Sequence, residues 1–249
     1  MEVHAHTHTA RKKWTHYLWE FLMLFLAVFC GFLAENFREQ RVEHHREKEY
    51  AQLLFEDLKK DTTWLHDVNF IKAWRTKKLD SLVYFLRSDE LQKNAAQLYY
   101  YTAHLGIDAS FQPNQATFQQ LRSSGNLRYF SNQKLYNDIT QYYDNCTFYL
   151  EMEKKWNQNS LPHSLGAKIF DMDKLLSLIG VNMDIQKQVQ PAEGDYALLS
   201  TDRNLLNEFM AYPKSAIEGN KVAILLLHDI IEPELNNLLA DIKKEYHLK

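Results

Sequence analysis

The run FLMLFLAVFCGFLA, Phe21 to Ala34, constrains the fold more than any other stretch. It holds 14 consecutive residues with no charged side chain. An amphipathic core helix needs a wet face, and this run has none. At helical rise it covers only ~21 Å, against ~30 Å for a hydrocarbon core. Its flanks extend it. Trp14, Tyr17 and Trp19 precede it and Phe37 follows. Trp14 to Phe37 makes ~36 Å of helix, with aromatics at the depth of the lipid headgroups. Glu20 and Glu35 then fall about one turn inside each end, near the interface.

Three readings compete: an uncleaved anchor, a cleaved signal peptide, and a buried core helix. Arg11, Lys12 and Lys13 form a basic region of the kind a signal peptide carries. No small-x-small cleavage site with a polar mature start follows, and the chain continues as charged, helical sequence. An uncleaved anchor is therefore expected. Lys and Arg counts on the two flanks nearly tie. The compact Arg11-Lys12-Lys13 patch favours the N-terminus inside the inner membrane and the following domain outside it. Ala27 and Gly31, four residues apart, make a small-xxx-small pair on which two copies of the helix can approach.

The opening MEVHAHTH, the basic patch, YLWEFLMLFLAVFCGFLAENFRE and EYAQLLFEDLKKDT together resemble an uncharacterised family of bacterial single-pass membrane proteins. Members begin with Met-Glu-Val and a His cluster, carry a Glu just before the apolar run, here Glu20, and leave it through a Gly-Phe-x-Ala-Glu-x-x-Arg-Glu exit, here Gly31 to Glu39. FQPNQATFQQLRSSGNLRYFSNQKLYNDITQYYD is similar to the family's helix, Leu-x-x-Ser-Gly turn and second helix. The resemblance covers residues 1–65 and 111–144. It implies an anchored helical protein and brings no activity or cofactor with it.

The rest of the chain reads as helical. Its 249 residues include only 7 Gly and 5 Pro, too few breakers for a many-turned β fold. No Gly or Pro lies between Gly31 and Gly106, so the membrane helix is expected to run on as a stalk. Glu35, Glu39, Glu43 and Glu47 repeat every fourth residue, with Arg38, Arg41, His45 and Lys48 on the other side. Leu54, Leu58, Leu65, Val68, Ile71, Leu79, Leu82 and Leu86 then mark an apolar stripe. Further helices are expected from the Ser88-Asp89 cap to Gly106, from Asn114 to Arg122, from Ser131 to about Gln158, and over Met172–Ile179. Thr201 is expected to cap a helix to Met210. Pro213 opens the last helix, which Pro233 kinks. Gly125 suits the left-handed residue after the second of these helices.

Little chemistry can be read from these residues. A net charge of −3 leaves no basic excess to neutralise phosphates, so nucleic-acid binding is not expected. No P-loop, GxGxxG, GxSxG or HExxH occurs. The two cysteines, Cys30 and Cys146, form no CxxC and read as small buried hydrophobes. His4, His6 and His8 alternate along the tail, where three imidazoles can converge on Zn²⁺, Ni²⁺ or Cu²⁺. The competing reading is a tail with incidental metal affinity. His66-Asp67 and His228-Asp229 are His-Asp dyads of the type metal hydrolases use; further ligands would have to come from His104, His163, Asp171 or Asp173, whose spacing gives that reading no support. His228 sits beside an apolar run and is more simply a core histidine. The Tyr99-Tyr100-Tyr101 and Tyr142-Tyr143 runs read as helix packing before pocket lining. Arg122 and Arg128 read as surface arginines before an anion site.

The expectation is all-α: a tail over residues 1–13, a transmembrane helix over 14–37, and a stalk helix with a helical bundle over 38–249. The expected function is a membrane-anchored, non-enzymatic module that binds a protein or ligand, with no cofactor. A metal hydrolase built on the dyads and metal or pH sensing through His4, His6 and His8 are the alternatives. Expected partners are the lipid bilayer, a further copy through the Ala27 and Gly31 face, and an unidentified protein.

Overall fold

The computed structural model describes residues 14–157, 163–179 and 195–248. It is all-α, with no strand among the described residues. The helices are α1 (Trp14–Leu86), α2 (Ala95–Ala103), α3 (Ala116–Ser123), α4 (Gln133–Asn157), α5 (His163–Ile169), α6 (Met172–Ile179), α7 (Arg203–Leu226) and α8 (Glu232–Tyr246). The chain divides into two compact units, Met1–Glu49 and Tyr50–Lys249.

In the first unit, residues 14–49 are helical throughout. Every residue from 14 to 32 is exposed, including Phe21, Leu24, Phe25, Val28 and Phe32. Cys30 is exposed with them, contrary to the expectation of a buried thiol, because nothing within this unit covers the apolar run. The rings of Phe21, Phe25 and Phe29 stack at 6.4 and 5.9 Å along one side. The charged stretch is tied by short-range pairs. Arg38 Nε donates to Glu35 at 3.0 Å. His16 lies 3.0 Å from Glu20, and His45 3.3 Å from Glu49, each pair at i,i+4.

The second unit holds two apolar cores. One gathers Leu54, Leu58, Leu65 and Val68 of α1 with residues of α3, α4 and α8. The other gathers Leu79, Leu82 and Leu86 of α1 with residues of α2, α5, α6 and α7 as far as Ile217. The expected stripe on α1 is therefore buried, except that Ile71 is only half-buried.

Local sequence explains most helix ends. Asn132, not Ser131, caps α4: its Oδ1 accepts from Lys134 N at 3.1 Å and Leu135 N at 3.2 Å. Asp202, not Thr201, caps α7 by accepting from Leu205 N at 2.8 Å. Helix α2 starts at Ala95 rather than just after Ser88-Asp89, and Ser88 Oγ accepts from Asn94 Nδ2 in the intervening turn. Gly125 takes φ +70° after α3, a left-handed conformation that favours glycine. Pro213 does not open the last helix. Helix α7 runs through it, with Pro213 itself buried. Pro233 opens α8 directly after a π-helical turn at Leu227–Ile231. Proline has no N–H for the carbonyl four residues back, so the hydrogen-bond ladder changes register there.

Candidate functional site

The groups with the most chemical potential are charges buried in the second unit. On α1, Ala51, Leu54, Leu58, Asp61, Leu65, Val68, Lys72, Arg75, Leu79, Leu82 and Leu86 alternate at spacings of 3 and 4, and all are buried. Helical geometry puts all eleven on the inward face. Three of them are charged, so their burial requires partners from other elements.

Lys72 is 1% exposed. Its Nζ lies 2.6 Å from Glu153 Oε1 on α4 and 3.1 Å from Asp108 Oδ1. Arg75 Nη1 lies 3.3 Å from Asp108 Oδ2 and donates to Asn220 Oδ1 on α7 at 3.2 Å. Arg75 Nη2 donates to the Leu105 carbonyl at 2.8 Å, while its buried Nε has no partner among the described residues. Burial lowers the Arg75 pKa, and the Asp108 and Glu153 carboxylates oppose that shift. Glu153 also accepts from Tyr149 Oη at 2.9 Å and from Ser110 Oγ. Two cations thus face two anions. The recess beside them, lined by Lys72, Asp108, Glu153, Ser215 and Asn220, holds about 20 Å³. That is room for about one water and for no metabolite.

The second group is a carboxylate pair one helical turn apart. Asp57 Oδ2 accepts from Thr117 N at 3.2 Å and Thr117 Oγ1 at 2.6 Å. Asp61 accepts from Asn114 N at 2.7 Å and Tyr142 Oη at 2.9 Å. The pair satisfies backbone donors at the start of α3, where Gln115 makes no side-chain cap and Asn114 Oδ1 accepts from Ala116 N at 3.3 Å. Burial pushes the Asp61 pKa from 3.8 up to about 6, against the Asn114 and Tyr142 hydrogen bonds. Burial also raises the Tyr142 and Cys146 pKa values well above their ordinary ranges.

This has a defined consequence for stability. Folded Asp61 binds its proton more tightly than the unfolded chain does. Its stabilisation is therefore complete below about pH 4 and lost as pH rises through about 6. Asp61→Asn keeps an acceptor for Asn114 and removes the titration. From pH 4 to 7 the wild-type unfolding free energy is expected to fall relative to that of the variant, by on the order of 2 kcal/mol. Urea titrations of both full-length proteins in detergent check this. A constant difference between them contradicts it.

The residues singled out in the sequence fall elsewhere. His4, His6 and His8 lie outside the described residues. His66 and Asp67 are exposed side chains 3.5 Å apart on α1. His228 is no core histidine. It is 72% exposed and 2.7 Å from Asp229, which raises its pKa. The burial expected of it falls to its neighbour Leu227. His104 is buried instead, with Nδ1 2.7 Å from the Tyr100 carbonyl and its ring 5.0 Å from Trp74. Burial lowers its pKa, which favours neutral imidazole. Asp171 caps α6, accepting from Asp173 N at 3.0 Å. Among the described residues no group of three or more His, Cys, Asp or Glu is placed to hold a metal ion. Tyr99 and Tyr142 are core residues with bonded hydroxyls. Arg122 is exposed, and Arg128 lies 5.5 Å from the Tyr129 ring.

The sequence does not announce the buried charges, because charged residues read as surface. Their signal was the 3-4 spacing itself: Asp61, Lys72 and Arg75 occupy positions where the stripe calls for apolar residues. Among the described residues one helix, α1, is long and apolar enough to cross a membrane. Comparison of the chain with protein-family models, with curated proteins and with solved structures finds no match.

Proposed function

We propose that this protein is a single-pass membrane protein whose helical unit binds a protein or ligand and catalyses no reaction. The observation that carries the anchor is the uncovered surface of α1. Residues 14 to 32 are exposed throughout and mostly aromatic or aliphatic. A continuous apolar surface of that extent marks a membrane or protein contact. It wraps all sides of the helix, and lipid covers all sides where a protein groove covers one. Membership of the bacterial family resembled above belongs to the same proposal, as do the inner membrane and an extracytoplasmic second unit. Arg11, Lys12 and Lys13 on the N-terminal flank support that orientation. The binding role is supported by the second unit's buried charges, which are spent on one another around a recess too small for a substrate.

Orientation is tested by labelling a surface thiol with a membrane-impermeant maleimide. Cys146 does not serve, because it is fully buried and its pKa is raised. Asp89→Cys does, since the Asp89 side chain is fully exposed. In a Cys30→Ser, Cys146→Ser background it is expected to label in intact cells. Labelling only after lysis reverses the orientation. Self-association through the Ala27 and Gly31 face has its own test. A Cβ at Gly31 meets nothing within 4 Å, so Gly31→Leu leaves the helix itself undisturbed. It is expected to abolish cross-linked dimers in membranes. Unchanged cross-linking removes this face as the contact.

A further inference from the structure

The ionic layer occupies a particular place in the second unit. On α1, Lys72 and Arg75 lie after Val68, the last α1 residue of one core, and before Leu79, the first of the other. On α7, Asn220 lies between Ile217 of one core and Ala223 of the other. Asn220 Nδ2 donates to Thr76 Oγ1 at 3.2 Å, so the polar side chains of the two helices bond directly. Glu153 reaches Lys72 from the last turns of α4. Apolar burial is therefore interrupted at one level on both α1 and α7, the two described helices that contribute to both cores. The layer is incompletely satisfied, as Arg75 Nε, without a partner among the described residues, shows.

The two cores also differ in what they are built from. The first holds the long helices α4 and α8, of 25 and 15 residues, beside α3 of 8. The second relies on α2, α5 and α6, of 9, 7 and 8 residues. Helices that short are marginal unless tertiary packing holds them.

We infer that the ionic layer is a hinge in stability, across which the half built on α2, α5, α6 and the first part of α7 opens while the half built on α4 and α8 stays closed. The layer joins the halves by directional hydrogen bonds and ion pairs. Opening on one side of it sacrifices the weaker core and leaves the apolar contacts of the stronger one intact. Binding elements are drawn from the low-stability end of a fold. On the binding role proposed above, the hinge identifies the α2-side half as the part able to rearrange around a partner.

Native-state hydrogen exchange on the full-length protein in detergent micelles tests this. In low denaturant, amides of α2 and the first half of α7 are expected to share one opening. Its denaturant dependence should be smaller than that of α4 and α8. Leu206→Ala truncates a fully buried residue of the second core. It is expected to accelerate exchange in α2 and early α7 by about thirtyfold or more. Global unfolding breaks this half as well, so exchange in α4 and α8 is expected to accelerate by the same factor. Leu235→Ala truncates a fully buried residue of the first core. It is expected to accelerate α4 and α8 by about thirtyfold or more and to change α2 and early α7 less than threefold. If Leu235→Ala does not fold, Ile242→Val should give about a threefold acceleration confined to α4 and α8. A single opening shared by all helices in the wild type overturns the hinge. So does equal acceleration of α2 and early α7 by either first-core substitution.

Discussion

Leu24→Arg together with Phe25→Arg is expected to remove the full-length protein from the membrane fraction. Both side chains are exposed on α1, and both lie near the middle of Trp14–Phe37. An arginine at the centre of a spanning helix costs about 2.5–3.5 kcal/mol on insertion scales. Two give about 5–7 kcal/mol, or a drop in insertion of about 10⁴-fold. Leu24→Ile with Phe25→Leu keeps the surface apolar and is expected to fractionate as wild type. The second unit has its own cores, so the arginine variant should retain helical circular dichroism and its cooperative melt. Carbonate-washed membranes provide the measurement. Wild-type retention of the double-arginine chain contradicts the anchor, and loss of the melt points instead to a helix packed within the fold.

Lys72→Met is expected to be among the most destabilising single changes in the second unit. It leaves Asp108 and Glu153 facing one guanidinium, with Glu153 only 5% exposed. Removing one partner of a buried ion pair costs about 3–5 kcal/mol. For a unit of this size, that lowers Tm by about 10 °C. Methionine is close to lysine in length, so the loss reports the uncompensated carboxylates more than a cavity. Adding Glu153→Gln to Lys72→Met removes one of those charges and is expected to recover at least half of the loss. Thermal melts of the wild type, both single variants and the double variant form the cycle. A Lys72→Met chain that melts within 2–3 °C of wild type shows that water reaches the layer and that the pairs contribute little.

The parts of the fold visible in the sequence were those with local causes. The Leu54 to Leu86 stripe follows from period alone. Gly125 was readable because left-handed backbone favours glycine, and the bounds of α6 matched Met172–Ile179. The caps of α4 and α7 were each misplaced by one residue. Ser131-Asn132 and Thr201-Asp202 both offer two capping side chains in a row, and only the folded backbone selects between them. Proline is costly inside a helix, so Pro213 reads as a helix start; in the structure it is buried inside α7, between the second-core residues Met210 and Ile217, and tertiary packing overrides the local preference. The ionic layer joins Lys72 to Asp108, Glu153 and Asn220, partners 36 to 148 residues away. Nothing local pairs such residues, so neither composition nor motif marks them. The His-Asp dyads were visible because they are adjacent in sequence, and adjacency says nothing of convergence: the His66 and His228 side chains are both exposed.

The most direct test asks what surrounds the apolar run. Single nitroxide labels are placed by Phe21→Cys, Leu24→Cys, Phe25→Cys, Val28→Cys and Phe32→Cys in a Cys30→Ser, Cys146→Ser background. The full-length chain is reconstituted in liposomes, and collision with oxygen is compared with collision with a water-soluble nickel complex. Oxygen is expected to prevail at all five positions, most strongly near Leu24 to Val28. Positions where the nickel complex prevails, or a label immobilised and shielded from both reagents at every site, would place the run in water or in protein and contradict the anchor.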